Sequence, residues 1–358
     1  MKNKLLLLLV AFFSMNSCSY QVIMDDCSCD DVAKIPINID WSISGVVPQN
    51  VSVLVYDKAS GSLVTEHRYE DNDNAIQSYI YLGEGTYTVV IFNEKRDQID
   101  YLKVRGYESL STLEFYVSTN TKAKARSESD NYLQEPGHMA VKIIDDVEIT
   151  HELVEYSQND PDLSAVAMAS ESKTQTRVSF ESLMNVIPVR KTIELSVTAH
   201  IKGLNYAMMP ALVDLTNVAD SYFVESDMNG LNPGVVQFNM NNRTYDTGST
   251  TEGTIYGSTV ILGALGDRVS TLSNTSLQTP IQLDMLFMLL NEELETRIVD
   301  VTQTLNYTID EYGNIEMDLY INVDEALPVV ESTGSGTDSG FATDLGDWSI
   351  IDVPLTNR

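Results

Sequence analysis

The sequence predicts an all-β protein built as two β-sandwich domains in tandem. Three observations lead there. Almost every periodic segment either alternates apolar and polar residues or runs apolar for a few residues between turn clusters, and long 3.6-residue periodicity is scarce. The chain has 358 residues, a length that suits two domains. Hydrophobic residues make up 43% of it, enough to bury a sizeable core and to exclude global disorder.

Taken in order, Ile35, Ile37, Ile39 and Trp41 alternate with Pro36, Asn38 and Asp40, a first strand of period two. Val51 to Tyr56 follows, then the turn cluster Asp57 to Gly61, then a return strand over Ser62 to Tyr69. Ile76 to Leu82 is a further strand, closed by Gly83-Glu84-Gly85. Tyr87 to Phe92 is the most β-prone run of the chain. Alternating and continuous apolar strands together suit a sandwich with inner and outer faces. The first core should hold Val53, Val55, Tyr87, Val89 and Ile91. Glu108 to Val117 and Met139 to Ile149 complete the first sandwich.

The polar stretches Asp160 to Asp162 and Ser164 to Thr176 read as a surface excursion near the junction. A second β block starts at Ile193 to Ala199. Val260 to Leu265, Ile281 to Leu290, Ile298 to Leu305, Tyr307 to Ile309 and Ile315 to Val323 continue it. Leu283, Met285, Phe287 and Leu289 fit helix or strand. The flanking Thr279-Pro280 and Asn291-Glu292 limit the run to about ten residues, which favours strand. Ser332 to Gly340 reads as a loop, and Trp348 to Leu355 as a last strand. The expected divisions are 1–17, 18–33, 34–182 and 183–358, the last two being the sandwiches.

The N-terminus reads as a lipoprotein signal. Lys2 and Lys4 form a positive start, Leu5 to Met15 is apolar but for Ser14, and Cys18 follows Asn16 and Ser17. An apolar run of this length fits a signal segment of roughly 7–15 residues and falls short of the roughly 20 that span a bilayer. Cleavage would leave Cys18 as a lipidated N-terminus carrying palmitate, with residues 18–33 as an acidic tether. An ordinary secretory signal is the alternative. The implied location is the outer membrane, on the cell surface.

Acidic residues number 52 against 22 Lys and Arg. Once Lys2 and Lys4 leave with the signal, the balance is 20 against 52, or −32. That charge excludes nucleic acid as a partner, since phosphate contacts need a basic surface. It also disfavours adsorption to anionic lipid, so membrane attachment falls to the tether.

Catalytic and metal chemistry is hard to assemble. Cys27 and Cys29 could be half a zinc site, but no second pair completes it. A strained local disulfide or two free thiols remain as readings. His151-Glu152-Leu153-Val154-Glu155 has Glu where a zinc protease motif needs a second His. Thr337-Asp338-Ser339-Gly340 resembles a protease serine loop without an assigned base. Glu70 to Asn74 offers oxygen ligands at close spacing but lacks the Gly and terminal Glu of a calcium loop. No phosphate-binding Gly loop is present. The expectation is no enzyme, no cofactor and no metal. The 18 tyrosines could form a glycan-stacking platform or simply serve strand surfaces and core.

Two stretches carry a family resemblance. Gly85 to Asn93 is similar to the Gly-x-Tyr strand of fimbrillin-type sandwiches. Val197 to Leu204 leading to Ala211 to Ala219 resembles a Bacteroidetes lipoprotein family of unknown function within the fimbrillin superfamily. Ile298 to Thr302 and the Gly-rich loop before Asp347-Trp348 resemble that family's ending. The resemblance implies transthyretin-like sandwiches and a non-polymerising anchor, accessory or adhesin subunit of surface fimbriae. Its partners would be fimbrial subunits joined by β-strand addition, and host or microbial surface glycans or proteins. The alternative is a glycan-binding lipoprotein of a polysaccharide-uptake system. Polymerising subunits of the superfamily are cut after an arginine near the mature N-terminus. Here the first arginine is Arg68, beyond two predicted strands.

Overall fold

A computed structural model describes residues 32–70, 75–94, 102–120, 131–159, 183, 185–266, 280–302 and 305–331. Cys18, Cys27, Cys29, the excursion at 160–176, the 332–340 loop and the expected strand at 348–355 lie outside the described residues.

The first half contributes β1 (Ala33–Asp40), β2 (Asn50–Asp57), β3 (Leu63–Glu70), β4 (Ala75–Leu82) and β5 (Gly85–Asn93). β6 (Leu102–Arg105), β7 (Glu114–Val117), β8 (Tyr132–Leu133) and β9 (Ala140–Ile149) follow. A helix, α1 (His151–Asn159), and β10 (Val189–Arg190) lead to the second half. That half contains β11 (Ile193–Lys202), β12 (Ala207–Ala219), β13 (Ser221–Phe223), β14 (Met228–Asn229), β15 (Pro233–Met240) and β16 (Asn242–Tyr245). It ends with β17 (Glu252–Ile261), β18 (Gln282–Leu289), β19 (Leu294–Asp300), β20 (Leu305–Ile309) and β21 (Ile315–Val323).

In the first sandwich a five-stranded sheet, β10-β9-β5-β2-β3, faces the two-stranded sheet β1-β4. β2 and β3 form the expected hairpin, and β2 and β5 pair antiparallel from Val51↔Asn93 to Asp57↔Tyr87. Every residue from Val51 to Tyr56 is buried, as is every residue from Tyr87 to Asn93. The reason is that both faces of these strands are covered. Val51, Val53, Val55, Tyr87, Val89 and Ile91 point into one core with Ile35, Ile37, Ile39 and Trp41. Leu54, Tyr56, Val90 and Phe92 point into a second core with Leu102, Leu113 and Phe115. The five residues expected in the first core are all there.

The second sandwich packs β16-β17-β11-β21-β20 against β19-β18-β12-β15-β8. β11 lies between β17, antiparallel, and β21, parallel. Strict alternation sends Leu195, Val197, Ala199 and Ile201 inward against Val213, Leu215, Leu283, Met285 and Phe287. The segment read as ambiguous between helix and strand is β18, buried on alternate residues.

Some sequence-derived boundaries shift. Residues 108–113 form turns and a short 3-10 helix, so β7 starts only at Glu114. β17 ends at Ile261, and Ala264 makes only an isolated bridge to Val218. β19 runs from Leu294 to Asp300, earlier than expected, because Glu295, Arg297 and Val299 pair with Phe287, Met285 and Leu283 of β18. β7 pairs with β13 in a four-stranded sheet, β14-β13-β7-β6, and β8 joins β15 in a sheet of the second sandwich, so two pairings tie the halves together.

Candidate functional site: the clamped first strand

β1 holds its place through three kinds of contact. Its inward residues Ala33, Ile35, Ile37 and Ile39 are buried, which follows from the period-two pattern of the sequence. One edge pairs with β4 over eight residues, from Ala33↔Leu82 to Asp40↔Ala75. On the chain's return from α1, Val186 forms a parallel bridge with Ile39: the Asp40 amide donates to the Val186 carbonyl (2.8 Å) and the Val186 amide to the Asn38 carbonyl (2.9 Å). At the other end the Lys34 amide donates to Ser157 Oγ of α1 (2.8 Å), and Val154 of the same helix joins the core.

Among the described residues, no strand pairs with the second edge of β4. Among the described residues, the backbone of β3, the edge of the facing sheet, is covered only near its start, where the Leu63 amide donates to the Glu108 carbonyl (2.9 Å). Tyr69 laces these two edges: its hydroxyl donates to the Tyr79 carbonyl (2.7 Å). Burial, with Tyr81 nearby, pushes the Tyr69 phenol well above its ordinary pKa, so it stays a donor at any physiological pH. Arg68 lies inside β3, paired with Ser52 of β2 and ion-paired to Glu66 (2.9 Å).

A second exposed feature is the outer face of β17-β11-β21. Thr198 faces Tyr256 on one side and Tyr320 on the other. Both tyrosines are exposed, Tyr320 at 65%. Two strands apart, they stand about 9–10 Å from each other across the sheet. Sequence reasoning raised a tyrosine platform without choosing these two, because their adjacency exists only after β11 and β21 pair.

The described residues offer few catalytic groupings. His151 opens α1 with Nε2 3.3 Å from Glu155, the residue standing where a zinc motif needs its second His. A small cavity lined by the apolar side chains of Leu195, Leu215, Ile261 and Met317, among others, supplies no acid, base or nucleophile. One mixed group is present: ligand atoms of His200, Asp246 and Glu252 lie within 4.8 Å of one another. Sequence reading missed it, since 46 residues separate His200 from Asp246 and nothing in their spacing forms a motif.

A candidate adhesin from Bacteroides ovatus ATCC 8483 shares the fold, with a TM-score of 0.52 at 18% identity over 88% of this chain and 99% of that one. Weaker similarity extends to a candidate polysaccharide-binding protein from Bacteroides thetaiotaomicron VPI-5482 (TM-score 0.42, 10% identity, 81% of this chain and 90% of that one). It extends also to the fimbrial anchor protein Mfa2 from Porphyromonas gingivalis (TM-score 0.40, 9% identity, 81% and 90%). No curated protein matches the sequence. The family described as "Domain of unknown function (DUF5119)" matches residues 17–239, well over half of the chain, so the protein belongs to this family of unknown function.

Proposed function

We propose that the protein is a surface subunit of fimbrial or adhesin type, tethered to the outer membrane through lipid on Cys18, which keeps its first strand. The observation that carries this reading is the clamp on β1. A subunit that exchanges its first strand must release it. Here that strand is hydrogen-bonded on both edges and contributes three buried isoleucines. The first arginine of the sequence, Arg68, sits within β3, so cutting there would remove both β1 and β2. An uncut subunit can accept a strand at the open edge of β4 or β3 without donating its own, as suits an anchor, cap or non-polymerising accessory.

The tether is tested by Cys18→Ala, which should move the protein from the membrane fraction to the soluble one. Retention after a high-salt wash overturns it. N-terminal sequencing of the protein from cells tests the uncut state. A start at Cys18 supports it, and a start beyond Lys34 refutes it. A second reading, glycan binding, is favoured by the Tyr256–Thr198–Tyr320 row, whose spacing lets two sugar rings stack on one face. Tyr320→Ala should abolish polysaccharide pull-down if this reading holds. Unchanged pull-down refutes it.

A further inference from the structure

We propose that His200, Asp246 and Glu252 form a zinc site with one open coordination position on the outer face of the C-terminal sheet. His200 projects outward from β11, between the inward Ala199 and Ile201. Asp246 follows β16 directly, and Glu252 begins β17. The two acids therefore flank the turn of one hairpin, facing each other across it, and the imidazole comes from the strand beside it.

The hairpin presents both acids in a fixed arrangement. The Asp246 amide donates to the Glu252 carbonyl (3.0 Å), and the Glu252 amide donates to Ser249 Oγ (2.9 Å). Gly253 permits this closeness: a Cβ there would come within 2.3 Å of the Thr244 carbonyl oxygen. Across the strands, the Leu204 amide donates to the Thr251 carbonyl (2.8 Å), tying the turn to the chain just after β11.

The electrostatics ask for a cation. His200 Nε2 lies 2.8 Å from Asp246 Oδ2, and the Glu252 carboxylate is within 4.8 Å of both. Lys202 stands opposite Glu252 in register, yet among the described residues no ion pair joins them. Two carboxylates thus stand beside one imidazole, which only Asp246 contacts directly, in a protein whose formal charge is already −30. Like charges at such separation repel, and a divalent ion between them reverses the sign of the interaction.

The donor set selects the metal. Calcium and magnesium are hard cations that favour all-oxygen coordination, which an imidazole nitrogen does not match. An imidazole nitrogen with two carboxylates suits zinc, which accepts three protein ligands and leaves a fourth place to water. Ligand atoms around a tetrahedral zinc stand about 3.4 Å apart, given bonds of about 2.0–2.2 Å. The His200–Asp246 contact must open slightly and Glu252 must move in by at most about 1.4 Å, a shift that rotation of a partly exposed side chain supplies. The open place faces solvent, where a carboxylate or hydroxyl of a bound partner can replace the water.

The test uses the mature full-length chain, stripped with chelator and titrated with Zn²⁺ in a calorimeter. One zinc should bind per chain. His200→Ala and Glu252→Gln should each weaken binding at least tenfold, whereas His151→Ala, which removes the other His/Glu group, should leave it unchanged. Zinc should also raise the melting temperature of the wild type but not of the His200 variant, with metal-free melting alike in both. No binding by the wild type overturns the site. So does binding that survives both substitutions, or binding lost with His151.

Discussion

Deletion of β1 is the most direct probe of how this protein is built. Ile35, Ile37 and Ile39 are at most 1% exposed in the native chain. Burying an isoleucine contributes about 1.5–3 kcal/mol, so the three together contribute about 5–9 kcal/mol. This is an upper estimate, because an unfolded chain already buries part of its apolar surface. A whole domain is typically stable by only about 5–15 kcal/mol, so the loss rivals the total. The eight-residue pairing with β4 and the Val186 bridge go with it. A chain starting at Trp41 should therefore lose its first sandwich at room temperature, seen as early proteolysis within residues 50–93 and a lowered melting temperature against a chain starting at Val32. A peptide of residues 32–40, added in excess, should restore protection by mass action, since it binds only the folded groove. If the shortened chain melts with the longer one, β1 is a dispensable edge and the uncut-anchor argument fails.

Two further outcomes follow from the same cores. Val89→Asp places an unpaired charge at a fully buried position between Val55 and Ile144, and should cost several kcal/mol in urea unfolding; an unchanged midpoint would show that this face of β5 is not core. His67 is held below its ordinary pKa by burial, and its Nε2 has no hydrogen-bond partner among the described residues. The unfolded chain then binds a proton that the native chain refuses. Stability is full above about pH 6.5 and falls as the pH drops below that value toward the lowered native pKa. His67→Phe should flatten this part of the pH–stability profile, and a profile that keeps its slope in the variant assigns the loss to other groups.

The first half of the fold was legible because its strands carry their own signals. β1 alternates cleanly, β2 and β3 flank a turn cluster, and β5 carries the continuous apolar run Val89 to Phe92 since both faces are covered. The second half was less so. β15 and β16 contain Pro233, Gly234, Asn239, Asn242 and Arg243, residues that read as loop, and become strands only by pairing with β12, β8 and β17. β7 has four residues, and its partner β13 lies about a hundred positions away, so no local window contains the information. The same holds for the candidate sites. The clamp on β1 needs Ser157 and Val186, and the tyrosine row needs three strands in register.

The placement of the cores bears on what the protein can withstand. The boundary between them runs through the five-stranded sheet, with Val53 and Val55 on one side of β2 and Leu54 and Tyr56 on the other. Beyond it, one continuous core reaches from Phe92 and Phe115, edge to face at 5.1 Å, to Phe287 and Leu319 in the second sandwich. The Arg105 guanidinium grips the buried Glu114 carboxylate with two hydrogen bonds of 2.6 and 2.7 Å, fixing β6 to β7 at the sheet that continues into β13. Separating the halves would break the β7–β13 and β8–β15 pairings and expose apolar surface at once. A flexible linker between two independent sandwiches would yield easily to a pull applied between a membrane tether and a partner. Shared sheets and a shared core resist it, because hydrogen bonds and buried area must be lost together. For the proposed lipid-tethered subunit, this interlock suits a mechanical role better than the presentation of two loosely joined binding modules.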